Sequence, residues 1–294
     1  MSHHDNSHQA AATAESTADS SPETPLVWDH FQAVRRQLRA ADGLLFGTDF
    51  DGTLSPIEEN PEAPEPTPAN LRSLRAFRDH PQVRPAVISG RGLADLRERV
   101  GIEGVDYVGN HGLELGIDGR RETHPDAEVA EPKIEEICGA LGRRLADIEG
   151  TVVENKGVTA TIHYRMVDRE QVETVQDHVS ETVAELADEE VEIHDGKESL
   201  ELRPAADWDK GSAIAQLQEH VDGWQPLYIG DDTTDEAAFE AITPNGITVH
   251  VGDNHETAAD YRVRSSAEAE VFIRWLVTDG LALLETSDDH VSAA

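Results

Sequence analysis

Lysine is almost missing from this 294-residue chain: of 24 basic side chains only four are lysines, Lys133, Lys156, Lys197 and Lys210. Cysteine is rarer still. Cys138 stands alone, which excludes an internal disulfide and suits a reducing compartment, so a cytoplasmic location is expected. No apolar run reaches the roughly 18 residues of a membrane-spanning helix, and the N-terminal stretch has no apolar signal core. Positive charge is scarce as a class: 24 Lys and Arg face 59 Asp and Glu, for a formal charge of −35. That excess argues against nucleic acid or an anionic membrane as partner, because phosphate backbones are bound by basic patches. It also repels an anionic small molecule, so a site for one must assemble its own local cluster of cation and metal.

Among what is present, the sharpest feature is Asp49-Phe50-Asp51-Gly52-Thr53-Leu54 behind the apolar run Leu44-Leu45-Phe46. Such a run reads as a buried parallel strand, and its end is the usual place for a site in an open α/β sheet. One carboxylate there can attack while the other moves protons, the division of labour of phosphoryl transfer through a covalent intermediate. The same residues also suit a plain turn. Three further segments supply what the chemistry lacks. Ser89-Gly90-Arg91 follows a second strand-like run; its hydroxyl, a free backbone N–H and a guanidinium can hold phosphate oxygens. Lys210 precedes the periodic Ile214, Leu217 and Val221, so it lies at a helix start, where an ammonium offsets charge on a nucleophile and a phosphoryl group. Asp231, Asp232 and Asp235 cluster after the run Pro226-Leu227-Tyr228-Ile229 and offer the hard oxygens that Mg²⁺ selects. Each segment alone also fits a turn, a helix cap or a solvated surface; four in this order do not arise easily by chance.

The order Asp-x-Asp-Gly-Thr, Ser-Gly-Arg, Lys-Gly, Gly-Asp-Asp-x-Thr-Asp resembles the four motifs of the haloacid-dehalogenase-like phosphatases. More narrowly, the chain resembles the trehalose-6-phosphate phosphatase family in Gly109-Asn110-His111-Gly112-Leu113-Glu114, Glu154-Asn155-Lys156-Gly157 with His163-Tyr164-Arg165, and Gly196-Lys197 with Glu201-Leu202-Arg203-Pro204. The resemblance implies Asp49 as nucleophile, Asp51 as general acid and base, and Ser89 and Lys210 gripping the phosphoryl group. It implies Mg²⁺ on Asp49, the backbone carbonyl of Asp51 and Asp231, with Asp232 or Asp235 assisting. Gly90, Arg91, Asn110, His111, Glu154, Lys156, Lys197 and Glu201 become the expected substrate contacts. The implied substrate is a sugar phosphate, trehalose 6-phosphate first, with sucrose phosphate or a hexosyl-phosphoglycerate as alternatives. A trehalose-phosphate synthase is the implied functional partner. A receiver-like phospho-acceptor would share the aspartates, Mg²⁺ and lysine, but would need neither Asp51 nor an insertion.

The expected architecture is α/β: a Rossmann-like core with a parallel sheet, interrupted by an α+β cap of about 85 residues, a usual size for a small domain. Residues 1–24, rich in Ser, Ala, Thr, Asp and His, read as a disordered tail in which His3, His4 and His8 are solvated. The core is expected over 25–112 and 199–286, the cap over 113–198, and a loose tail over 287–294. Thr67-Pro68 reads as a helix start. Residues 132–148 read as a cap helix in which Ile134, Ile137, Cys138, Leu141 and Leu145 form the buried stripe. Lys197, Ser199, Glu201 and Arg203 alternate and so share one strand face. The acid excess with depleted lysine resembles proteins of salt-accumulating cells, where multimolar salt shortens the Debye length to roughly 3 Å or less.

Overall fold

The computed structural model describes residues 24–57, 63–187, 189–253 and 256–284. Apart from Thr24, the expected tails lie outside the described residues. Helix α1 (Phe31–Arg39) leads into β1 (Leu44–Thr48), α2 (Pro68–Asp79), β2 (Val83–Ile88), α3 (Leu93–Val100) and β3 (Asp106–Gly109). The start of α2 is the one expected: the Thr67 side chain accepts from the Asn70 N–H, and Pro68 occupies the first turn, where no donor is needed. Next come β4 (Glu114–Ile117), β5 (Arg120–Thr123), α4 (Pro125–Arg144), β6 (Val152–Asn155), β7 (Ala160–His163), α5 (Val172–Leu186), β8 (Val191–Gly196) and β9 (Ser199–Pro204). The chain then runs through α6 (Lys210–Glu219), β10 (Gln225–Gly230), α7 (Glu236–Ile242), β11 (Ile247–Val251), β12 (Tyr261–Val263) and α8 (Ser266–Trp275).

Among the described residues these strands make an eight-stranded sheet ordered β12-β11-β10-β1-β2-β3-β4-β5 and a four-stranded sheet ordered β6-β7-β9-β8. The large sheet is parallel from β12 to β3 and antiparallel at β4 and β5. β1 is buried along its whole length, and alternation divides its side chains between two cores. Leu44 and Phe46 pack with Leu74 and Phe77 of α2 and Phe272 of α8, and the Phe46 and Phe77 rings are 4.4 Å apart. Leu45 packs on the other side with Ile214 and Leu217 of α6 and Phe239 of α7. Helices therefore cover both faces, as an apolar parallel strand demands. From β1 the chain moves outward to β2 and β3; later it returns at β10, against the opposite edge of β1. The gap between β1 and β10 is thus the topological switch point, where a crevice opens beyond the carboxyl ends of the strands.

The small sheet rests one face on α4 and α5, with Ile162, Leu200 and Leu202 packed against Ile137, Leu141, Val175 and Val179. Cys138 belongs to this core and is buried, as its periodicity predicts. On the opposite face Glu154, Thr161 and Glu201 lie in one row across β6, β7 and β9.

Strand pairing corrects both expected cap boundaries. β4 and β5 extend the large sheet by pairing onto β3, so the cap sheet does not begin at 113. β9 lies inside the small sheet between β7 and β8, so the second core segment does not begin at 199. The first cap helix also starts earlier than 132, because the His124 side chain accepts from the Asp126 N–H and Pro125 opens the helix, leaving Pro132 inside it. No helix among the described residues is long and apolar enough to cross a membrane.

Candidate active site

Asp49 is the first residue beyond β1, and its N–H donates to the Ile229 carbonyl of β10 at 2.8 Å, which ties it to the switch point. Lys210, the first residue of α6, reaches it from below: the ammonium donates to Asp49 Oδ1 and to Asp235 Oδ1, each at 2.7 Å. All three groups are buried, Lys210 at 2 %, Asp49 at 4 % and Asp235 at 0 % exposure. Burial works against the ammonium, yet the two carboxylates overcome it and raise Lys210 above the ordinary lysine value. Burial pushes the Asp49 carboxyl well above its ordinary value; Lys210 pulls it down, while Asp235, Asp231 and Asp51 push it further up. The Tyr228 hydroxyl donates to Asp235 Oδ1 at 2.7 Å and the Asp232 N–H to Oδ2 at 2.9 Å. Asp235 is therefore chiefly the anchor of Lys210. Tyr228 escapes sequence reading; its signal was a lone hydroxyl inside an otherwise apolar strand.

Asp49, Asp231 and Asp235 each offer a carboxylate oxygen within 4.8 Å of the others. Three carboxylates against one ammonium leave a formal charge of −2, which suits a divalent cation. Asp231 Oδ1 is buried and has no hydrogen-bond partner. Burial, followed by Asp235 and Asp232, pushes the Asp231 carboxyl up to about 7. Gly52 adopts φ +80°, and a Cβ there would fall 2.2 Å from Asp231 Oδ2, so the turn after Asp51 needs glycine on two counts. A buried oxygen without a donor, beside two further carboxylates, fits a hard cation. Asp232 stays outside this cluster: half-exposed, it accepts from the Thr233 N–H at 2.8 Å.

Ser89 follows β2 and is 1 % exposed; its Oγ accepts from the Arg91 N–H at 3.2 Å. Gly90 packs so close to His111 that a Cβ would sit 2.5 Å from the imidazole. Arg91, expected on the substrate, grips Asp51 with Nε and Nη2, both at 2.8 Å. Asp51 lies near the Asp49 crevice with its side chain 43 % exposed.

The cap row faces this crevice. Lys156 Nζ donates to the Gly90 carbonyl at 3.2 Å and stands 4.0 Å from Glu154, which contacts His163 Nε2 at 2.9 Å. Burial opposes the Glu154 charge, but the His163 hydrogen bond and Lys156 outweigh it and lower its carboxyl. Glu201 is held by Arg203, whose Nε donates at 2.9 Å, and lies 3.2 Å from His111 Nε2. Burial would raise Glu201, but the His111 hydrogen bond and the charge of Arg203 hold it below the ordinary value. Burial drops His111 to about 4, so at neutral pH its contact with Glu201 is a hydrogen bond rather than an ion pair. Lys197 sits at the rim, its side chain 67 % exposed and 3.9 Å from Asp232.

Asn110 departs from its expected role. It is 0 % exposed, and its amide is spent on protein groups: Glu114 at 2.6 Å, the Lys156 carbonyl at 3.3 Å and the Thr159 hydroxyl at 2.6 Å. It joins core to cap. Its backbone and that of His111 both have positive φ, 49° and 58°, a conformation disfavoured for non-glycine residues.

Residues 47–267 match the sequence profile of the trehalose-phosphatase family. The trehalose-phosphate phosphatase of Mycobacterium marinum is 37 % identical over 236 residues, which are 76 % of this chain and 59 % of that protein. The chain thus spans about three-fifths of that relative's length. The C-terminal domain of Candida albicans trehalose-6-phosphate phosphatase superposes with a TM-score of 0.73 at 23 % identity, covering 88 % of this chain and 99 % of that one. A haloacid dehalogenase-like hydrolase from Bacteroides thetaiotaomicron has the same fold, with a TM-score of 0.54 at 19 % identity over 80 % of this chain and 99 % of that one.

Proposed function

The chain belongs to the trehalose-phosphatase family, and we propose that it hydrolyses trehalose 6-phosphate to trehalose and phosphate through an aspartyl-phosphate on Asp49. The observation that carries the chemistry is the convergence of Asp49, Lys210 and Asp235 beyond β1 and β10, with Lys210 held 2.7 Å from both carboxylates. Its ammonium fixes the Asp49 carboxylate and faces the charge that develops on the phosphoryl group. Asp49 attacks phosphorus as the bond to the sugar oxygen breaks, and protonated Asp51 gives that oxygen its proton. Water then attacks phosphorus, Asp51 takes its proton, and phosphate leaves Asp49 free again. Ser89 and the neighbouring backbone steady the phosphoryl oxygens.

Asp49, Asp231 and the Asp51 backbone carbonyl would hold Mg²⁺, which when bound supplies positive charge beside the phosphoryl oxygens. For the sugar, support comes from the polar row Glu154, Thr161 and Glu201, with Lys156 bridging to Gly90. Carboxylates held below their ordinary values stay ionised and so present only acceptors to sugar hydroxyls. The substrate is a sugar phosphate of cytoplasmic metabolism, and a trehalose-phosphate synthase would supply it.

The test is phosphate release by purified protein in high KCl with Mg²⁺, against trehalose 6-phosphate, sucrose 6-phosphate and a hexosyl-phosphoglycerate. The expected result is the highest kcat/KM for trehalose 6-phosphate, abolished by EDTA. A higher value for either other sugar overturns the substrate, and EDTA-resistant turnover overturns the metal.

A further inference from the structure

A file of alternating charges runs away from Asp51. Arg91 forks its carboxylate through Nε and Nη2 at 2.8 Å each, and turns its third nitrogen, Nη1, to Asp95 Oδ2 at 3.1 Å. Arg99 Nε donates to both oxygens of Asp95, at 2.8 and 2.9 Å, and its Nη1 donates to the Pro64 carbonyl at 2.9 Å. The Arg91 and Arg99 side chains are 12 % and 13 % exposed, whereas those of Asp51 and Asp95 are 43 % and 42 % exposed. The Phe50 ring lies 5.3 Å from the Arg91 guanidinium carbon, an aromatic floor for its plane. Asp95 and Arg99 are one turn apart on α3, so they share a face and brace each other.

We propose that Asp95 and Arg99 are positioning residues for proton transfer: through Arg91 they fix the orientation of the Asp51 carboxyl toward the leaving-group oxygen. This rests on the assignment of Asp51 as acid and base. Asp51 is half-exposed, so water competes for it and its plane is free to turn unless something rigid holds it. A fork sets that plane only if the guanidinium is itself immobile, and a long arginine side chain is not. Anchoring Arg91 at Asp95 also opposes a second rival, the phosphate dianion, which draws the same guanidinium.

The test uses leaving groups. p-Nitrophenyl phosphate releases a stable phenolate that needs little protonation; p-nitrobenzyl phosphate, one methylene longer, releases an alkoxide that needs a proton. General acid help is typically worth about 10²–10⁴-fold, so Asp51→Asn should lower kcat/KM for the benzyl ester at least ~100-fold more than for the phenyl ester. Asp95→Ala should reproduce this split on a smaller scale, lowering kcat/KM, which stops at loss of the leaving group and leaves out the shared hydrolysis of the aspartyl-phosphate, about tenfold more for the benzyl ester than for the phenyl ester, with Asp95→Glu partly restoring it. In the Asp51→Asn background Asp95→Ala should cost less than about twofold further, since residues acting as a unit are non-additive. Arg99→Lys keeps charge but loses the fork; it should show the same split and serves if Asp95→Ala fails to fold. Equal slowing of both esters, or full additivity with Asp51→Asn, overturns the inference. If Asp51→Asn itself shows no split, the assignment of Asp51 fails, and the positioning role with it.

Discussion

Replacing Lys210 by methionine isolates the electrostatics of the crevice. Methionine fills the space of the lysine stem, so packing is kept while the ammonium is lost. What remains is Asp49 at 4 % and Asp235 at 0 % exposure, each robbed of a donor at 2.7 Å. Breaking a buried ion pair by removing one partner costs about 3–5 kcal/mol. The loss should depend on pH with a definite sign. Asp49 is already raised by burial, and without Lys210 it rises further. A carboxyl raised by folding keeps its proton better in the folded chain than in the unfolded one. Protonation therefore relieves the defect below the unfolded value of about 4, and the defect grows as pH climbs from there toward the raised folded value. Urea unfolding of wild type and Lys210→Met, without divalent metal and at one KCl concentration, should give a gap of about 3–5 kcal/mol at pH 8 that shrinks by half or more near pH 5. A gap below about 1 kcal/mol at pH 8, the range of exposed pairs, or one that widens on acidification, would refute the account of Lys210 as a buried counter-ion.

Other outcomes follow from the same geometry. Asp49→Asn should retain at most a few per cent of turnover, because an amide is a poor nucleophile; phosphate release in single-turnover and steady-state assays checks it. Asp231→Ala should raise the Mg²⁺ concentration for half-maximal activity by at least about tenfold, since one of few direct carboxylates is lost. In the wild type that concentration should rise as pH falls through about 7, where Asp231 takes up a proton, by up to about tenfold per unit, and a flat Mg²⁺ requirement between pH 8 and 6 would contradict the ligand assignment. Lys156→Ala and Glu201→Ala should lower the ratio of kcat/KM for trehalose 6-phosphate to that for p-nitrophenyl phosphate by about tenfold, roughly 1.4 kcal/mol of selective binding; an unchanged ratio in both removes the cap row from sugar recognition.

The core was legible because its signals are local. β1, β2 and β10 are apolar runs ending in polar motifs, and one strand's sequence suffices to place Asp49, Ser89 and Asp231 at carboxyl ends. What escaped depends on distant pairing. The Asp118-Gly119 turn between Leu113–Ile117 and Arg120–Thr123 predicts a hairpin, but nothing in it says whether the hairpin joins the cap or adds to β3. Ser199–Pro204 is bounded by a turn toward β8, and its second neighbour, β7, is fixed only by the packed cap. Arg91 was expected on phosphate because a guanidinium after Ser-Gly suits an anion; its partner Asp51 lies 40 residues away. Asn110 looked like a sugar ligand, and only its complete burial between Glu114 and Thr159 shows that its amide is already engaged.

The outermost strand of the large sheet raises a matter of company between molecules. Arg120, Arg121 and Glu122 of β5 are all exposed, and among the described residues β5 pairs with β4 on one side only. An open sheet edge invites a second copy to add its own strand. A charge of −35 repels such a neighbour at long range, but salt confines that repulsion to about 10 Å at 0.1 M and to 3 Å at 1 M. What survives at contact is the cost of stripping water from two guanidinium groups and a carboxylate packed along four residues. The short charged edge thus guards the sheet at the distance where net charge has ceased to act.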